Sequence, residues 1–301
     1  MMKATTVIGS WERAGDELPV VVGVDGSEHG LHAVDWAADE AALRGVPLRV
    51  VYASLWERYE GTALAGDHKP SEEVRADDIV AVAARRAREG RPGLKVSAEV
   101  VPEEPGYVLV REGRNACALV VGTQGRGSIV EMILGSVSLT VAAHAHCPVI
   151  VVRGSHSAAG TRGRVVVGVG EEGKNSAAVR FAAQEARLHR APLDAVRAWR
   201  RPAKENVVHP LLTGNPARRY EEQAAEALEE ALQDIPADVE PHRRTVEGPA
   251  RDVLLDASRD AGLLVVGARR THGHLGLQLG RVAHGVLHRA TCPVAVVPEP
   301  A

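Results

Sequence analysis

A chain of 301 residues with 36 basic and 39 acidic side chains is long enough for two domains of ordinary size, and its formal charge of −3 lacks the cationic surplus of a nucleic-acid binder. No apolar run approaches the ~20 residues that span a bilayer, and segment 1–19 carries Glu12, Asp16 and Glu17 where a secretory leader has an apolar core. The expected setting is cytoplasmic, with no membrane partner, and Cys117, Cys147 and Cys292, far apart in apolar runs, read as buried reduced thiols.

After segment 1–19, the apolar run Val20–Asp25 has the length of a strand. Val34, Ala37, Ala38 and Ala41 then recur at helical spacing, with Asp35, Asp39 and Glu40 elsewhere on the helix. Leu48–Ala53 is a second strand. The charged stretch Glu72–Glu89 carries an apolar stripe through Val74, Ile79, Val82 and Ala83 and is a helix. Val96–Val101 is a third strand, Pro105–Asn115 a short helix and Ala118–Gly122 a fourth strand. A helix from Ser136 to about His144 and the strand Pro148–Val152 close the unit at about residue 153. Strands alternating with helices require a mostly parallel, doubly wound five-stranded sheet flanked by helices, with ligands beyond the carboxyl ends of its strands.

The unit is then written again. Val20–Val24 recurs as Val165–Val169, Pro47–Leu48 as Pro192–Leu193, Val120–Gly122 as Val265–Gly267 and Cys147–Val149 as Cys292–Val294, each pair 145 positions apart. A constant offset marks a duplicated domain. The expected layout is an N-terminal segment 1–19, a first domain 20–153, the small polar linker 154–163 and a second domain 164–299. Pro148–Val152 and Pro293–Val297 are matching apolar edge strands, and an open apolar edge invites pairing.

The most specific motif is Gly122-x2-Gly125-x9-Gly135-Ser136, between the fourth strand and the helix after it. A glycine-rich loop there bares backbone N–H groups to an anion, and the helix start turns its positive end to the same spot. The other reading is a flexible loop that happens to be rich in glycine. Asp25, in Gly23–Ser27 at the end of the first strand, points to the same rim. It is equally a carboxylate for a sugar or amine and a residue that orders the turn. Arg126 is a cation for phosphate or a solvent-facing loop arginine.

Together, Gly23–Ser27 and the glycine spacing resemble the ATP-binding members of the universal stress protein family, over almost the whole chain and twice. The resemblance implies that Asp25 lies beside adenosine and Ala53 lines the adenine pocket. It places Gly122, Gly125, Gly127, Gly135, Ser136, Val137 and Ser138 around ribose and phosphates, with Ser136 as helix cap and Mg2+ accompanying ATP. It also implies pairing of the two domains through their last strands as an intrachain pseudo-dimer. A homodimer of whole chains and a regulatory protein partner, which no residue identifies, complete the expectation. No base stands near the loop to activate water, so a regulatory module is expected over a strong enzyme. A slow ATP-hydrolysing or nucleotidyl-transferring enzyme and a structural protein with a vestigial pocket are the alternatives.

The second copy is degraded. Asp25, Gly125 and Ser136 become Gly170, Arg270 and Arg281, which removes the carboxylate, the tight turn and the hydroxyl. Gly168–Lys174 imitates a dinucleotide fingerprint, with Asp194 some twenty residues on, and nearly a P-loop. Glu171 and Glu172 would put negative charge into either phosphate cradle. His144 with His146, His272 with His274, and His284 with His288 read as surface or helix-end histidines, not metal ligands.

Overall fold

The computed structural model describes residues 18–55, 71–123, 134–154, 163–170, 176–201, 216–269 and 279–299. In the first half, β1 (Val20–Val24), β2 (Leu48–Ala53), β3 (Val96–Val101), β4 (Ala118–Gly122) and β5 (Val149–Val152) alternate with α1 (Glu28–Arg44), α2 (Ser71–Gly90), α3 (Pro105–Glu112) and α4 (Ser136–His144). In the second, β6 (Arg164–Gly168), β7 (Leu193–Trp199), β8 (Pro241–Glu247), β9 (Ala261–Arg269) and β10 (Val294–Glu299) alternate with α5 (Ala177–His189), α6 (Pro216–Ala231), α7 (Ala250–Ala257) and α8 (Arg281–Arg289). The ten strands form one sheet in the order β3-β2-β1-β4-β5-β10-β9-β6-β7-β8. Pairing is parallel within each half and antiparallel only at β5–β10, where the last strands meet as expected.

Local chemistry sets the element ends. Ser27 caps α1 by accepting the Gly30 N–H at 3.1 Å, and Gly45, at φ 71°, closes the same helix in the left-handed conformation glycine favours. Pro105 opens α3 behind Glu104, whose carboxylate accepts the Gly106 and Tyr107 amides. The short helix ends earlier than the pattern suggested. It tightens into a 3-10 turn over Gly113–Asn115, where a β-carbon on Gly113 would crowd the Cys147 sulfur. All three cysteines are buried free thiols.

The central strands β1, β4 and β5 are nearly continuous valine, isoleucine, leucine and alanine because helices cover both faces. A β-carbon on Gly23 would lie 2.7 Å from Leu109 Cδ1 and 3.4 Å from Val121 Cγ1, so Gly23 and Val121 face α3. Strand alternation then turns Val120, and Ile150 paired with it in register, toward α1.

Across the junction α1 packs on α5 and four charged side chains meet. Arg44 pairs with both Glu40 and Glu185, while His189 Nε2 lies 2.9 Å from Glu40 and 3.4 Å from Glu185. Both carboxylates are fully buried. Burial weighs against the His189 imidazolium, but hydrogen bonds to Glu185 and Glu40 outweigh it and push the imidazole up to about 10. Burial also raises the Glu40 carboxyl, and Arg44 and His189 overcome that to leave it below its ordinary value, whereas burial and the neighbouring Glu40 hold the Glu185 carboxyl above its own.

Candidate functional site

The carboxyl ends of β1 and β4 and the start of α4 enclose a cleft of about 180 Å³. Beyond β1 the chain turns through Gly26, whose φ of 77° suits glycine. Asp25 Oδ1 accepts the Ser27 amide at 3.0 Å and the Ser27 hydroxyl at 2.6 Å. The turn-ordering role is therefore filled, and the same carboxylate also lines the cleft. Gly30 lets this happen, since a β-carbon there would sit 2.9 Å from Asp25 Oδ1.

On the opposite wall, Gly122 ends β4 against the first turn of α1, where a β-carbon would meet the His29 carbonyl oxygen at 2.8 Å. The Gly135 amide returns to the Thr123 carbonyl at 2.7 Å, and the Ser138 hydroxyl donates to the Gly122 carbonyl at 2.7 Å. These bonds hold the start of α4 beside the strand end. Ser136 was expected to cap this helix, and the structure corrects that. Gly135 occupies the cap position without a side-chain bond, Ser136 is the first helical residue, and Ser138 is the serine that ties helix to strand. A glycine at the cap offers no side chain to the leading N–H groups of α4, whose positive end lies at the cleft.

Of the expected site residues, Asp25, Ala53, Gly122, Gly135, Ser136, Val137 and Ser138 line this one cleft. Gly125, Arg126 and Gly127 lie outside the described residues. Sequence reasoning missed Val51, Pro105, Leu109 and Val121, which supply the apolar floor and back wall. Leu109 packs on Gly23, and the contact repeats as Leu254 on Gly168, where a β-carbon would again approach at 2.7 Å.

The second half is built differently at the corresponding place. α5 begins at Ala177, behind its cap Ser176, while α1 begins at Glu28 behind Ser27. Glu299, 5% exposed, meets the start of α5 from the end of β10. Its carboxylate accepts the Ser176 hydroxyl at 2.8 Å, the Ala177 amide at 2.8 Å and the Ala178 amide at 3.0 Å. It lies against Gly267, the counterpart of Gly122. An internal anion thus occupies this helix start, and no equivalent of Asp25 stands at Gly170. Arg281 is the first residue of α8 and is exposed, while Arg270 lies outside the described residues. Asp194, which a dinucleotide reading would turn to a ribose, is 3% exposed and takes the Arg164 guanidinium at 3.1 Å.

Among the histidines, His144 Nδ1 lies 2.8 Å from the Thr140 carbonyl at a helix end. His284 and His288 stack with ring centroids 4.5 Å apart, and His272 and His274 lie outside the described residues. Among the described residues, the group of three side chains with metal-ligating spacing is Glu40, Glu185 and His189, and Arg44 already bridges its two carboxylates. Among the described residues no helix is long and apolar enough to cross a membrane.

The model of the universal stress protein family matches residues 18–153 and again 161–298. A universal stress protein of Mycobacterium tuberculosis is 33% identical over 291 residues, covering 92% of this chain and 96% of that protein. One from Mycolicibacterium smegmatis is 30% identical over 298 residues, covering 95% and 98%. The crystal structure of a universal stress protein from Archaeoglobus fulgidus shares the fold with a TM-score of 0.66 at 17% identity, over 95% of this chain and 99% of that one.

Proposed function

This chain belongs to the universal stress protein family, and on that footing we propose that its first domain, residues 20–153, binds ATP in the cleft between β1, β4 and α4. The observation that carries the reading is the meeting of unlike surfaces in one small cleft: an apolar slot of Val51, Ala53 and Leu109, the Asp25 carboxylate, and a helix start whose cap residue is a glycine. A flat apolar base fits the slot, a ribose hydroxyl fits the carboxylate, and phosphate oxygens fit the N–H groups of α4 and of the glycine loop. Asp25 is the one carboxylate among the described residues lining the cleft, and its Oδ1 is held by Ser27. Mg2+ would therefore be carried mainly by the phosphates.

A carboxylate engaged in ordering a turn is a poor base for water, so occupancy of the site, more than turnover, is the useful output. The protein then acts as a nucleotide-dependent regulatory module in a stress response, reporting ATP to a protein partner. The second domain, residues 164–299, serves as its fixed mate, since Gly170, Arg270 and Arg281 stand at the sequence positions of Asp25, Gly125 and Ser136. Acid release followed by chromatography of the purified chain, together with titration calorimetry, tests this. The expected saturation is one ATP per chain, abolished by Gly125→Arg, which copies the second repeat. Two ATP per chain, or a Gly125→Arg variant that binds like the parent, would refute it.

A further inference from the structure

Residues 145 apart are counterparts in the two halves, and the β5–β10 register sets Ile150 opposite Ala295, its own counterpart. The local two-fold axis therefore passes through this pair. Both face the α1–α5 side of the sheet, where Glu40, Arg44, Glu185 and His189 meet. The acids Glu40 and Glu185 are counterparts and identical. Two counterpart pairs beside them are unequal, and in both the first half carries the larger: Ile150 over Ala295 and Arg44 over His189. All but Arg44 and His189 are at most 1% exposed, and the Arg44 side chain is 15% and that of His189 5% exposed. The bulk of one half is received by the other, since the Arg44 guanidinium lies over the Phe181 ring, 5.8 Å from its centroid.

Close-packed interiors tolerate neither excess volume nor voids. Two first halves paired face to face would set isoleucine against isoleucine on the axis and crowd two guanidiniums between the carboxylates. Two second halves would set alanine against alanine and leave two imidazoles to neutralise two buried acids. We infer that the junction is a size-matched heterotypic interface: the face of the first domain selects the second domain of this chain and rejects a copy of itself. The duplicated strand edge supplies the general stickiness, and the unequal counterparts supply the choice of partner. This does not depend on the nucleotide reading.

The test uses the full-length chain and four positions. An all-large variant combines Ala295→Ile with His189→Arg, and an all-small variant combines Ile150→Ala with Arg44→His. A third carries all four changes, moving the bulk from one half to the other with composition and charge unchanged. The all-large and all-small chains should each lose about 5–10 °C in thermal midpoint, and the four-fold exchange should recover most of that loss. If the all-large chain does not fold, the all-small chain and the exchange still decide. An exchange that recovers less than half of the all-small loss, or an all-small or a folded all-large chain as stable as the parent, overturns the inference.

Discussion

Asp25 Oδ1 accepts both the amide and the hydroxyl of Ser27, so removing the carboxylate disturbs a turn as well as a proposed ligand contact. Two substitutions separate these roles. Asp25→Ala loses the turn bonds and any bond to nucleotide, and should weaken ATP binding by about 1–3 kcal/mol while lowering the melting midpoint. Asp25→Asn keeps an acceptor oxygen for Ser27 but not the charge. It should restore the midpoint and leave affinity near the alanine level; affinity restored along with the midpoint would assign Asp25 to the turn alone. Asp25, Gly135 and Ser136 were legible from the strand end and the glycine spacing, whereas Ala53, Val137 and Ser138 were implied by the family resemblance; all of them line the cleft. Val51 and Leu109 were not legible, since an apolar wall residue looks like any core residue. Glu299 was hidden because its partners Ser176 and Ala177 lie more than a hundred residues away, and only the sheet order brings them together.

At the scale of elements, the alternation of strand and helix was readable almost to the residue, as β2, a short apolar run, and β3, a β-branched edge strand, both show. Helix starts were less secure. A serine after a glycine looks like a cap, yet α4 uses the glycine itself, since the backbone, not the side chain, meets the cleft. Contact between elements also predicts which glycines matter. Gly23 and Gly122 both back onto a helix, but a β-carbon on Gly23 meets the end of the Leu109 side chain while one on Gly122 meets the His29 backbone. Leucine can rotate away and a helical carbonyl cannot. Gly122→Ala should therefore cost about 1–3 kcal/mol of stability and much of the ATP affinity, with Gly23→Ala clearly milder. Thermal melts that rank them the other way would show that α1 yields more easily than its packing suggests. β5 is likewise a central strand between β4 and β10, so Val151→Pro, which cannot donate to a ladder, should lower the midpoint and enlarge the hydrodynamic radius.

For the whole molecule, the Glu40–Arg44–Glu185–His189 cluster ties stability to pH. The sequence reading set Glu40 off the apolar stripe of its helix; the structure buries it completely, together with Glu185 of the facing helix. Their union needed the two halves placed on one another. The groups facing His189 are Glu40, Glu185 and Arg44, with the Cys117 thiol nearby pushed up to about 11 by burial. The folded imidazole titrates near 10, against its ordinary 6.5. A pKa raised on folding means that the native state holds a proton the unfolded chain has lost. The contribution of His189 is thus complete below about pH 6.5, shrinks steadily above it and is gone beyond about pH 10. His189→Gln leaves two buried carboxylates with one cation and should cost about 3–5 kcal/mol near pH 6. Carboxylates, lysines and tyrosines titrate in both proteins, so the informative quantity is the difference in unfolding free energy between parent and variant. That gap should be widest near pH 6 and close as pH approaches 10, and a gap that stays constant from pH 6 to 10 would mean that His189 is neutral in the folded chain.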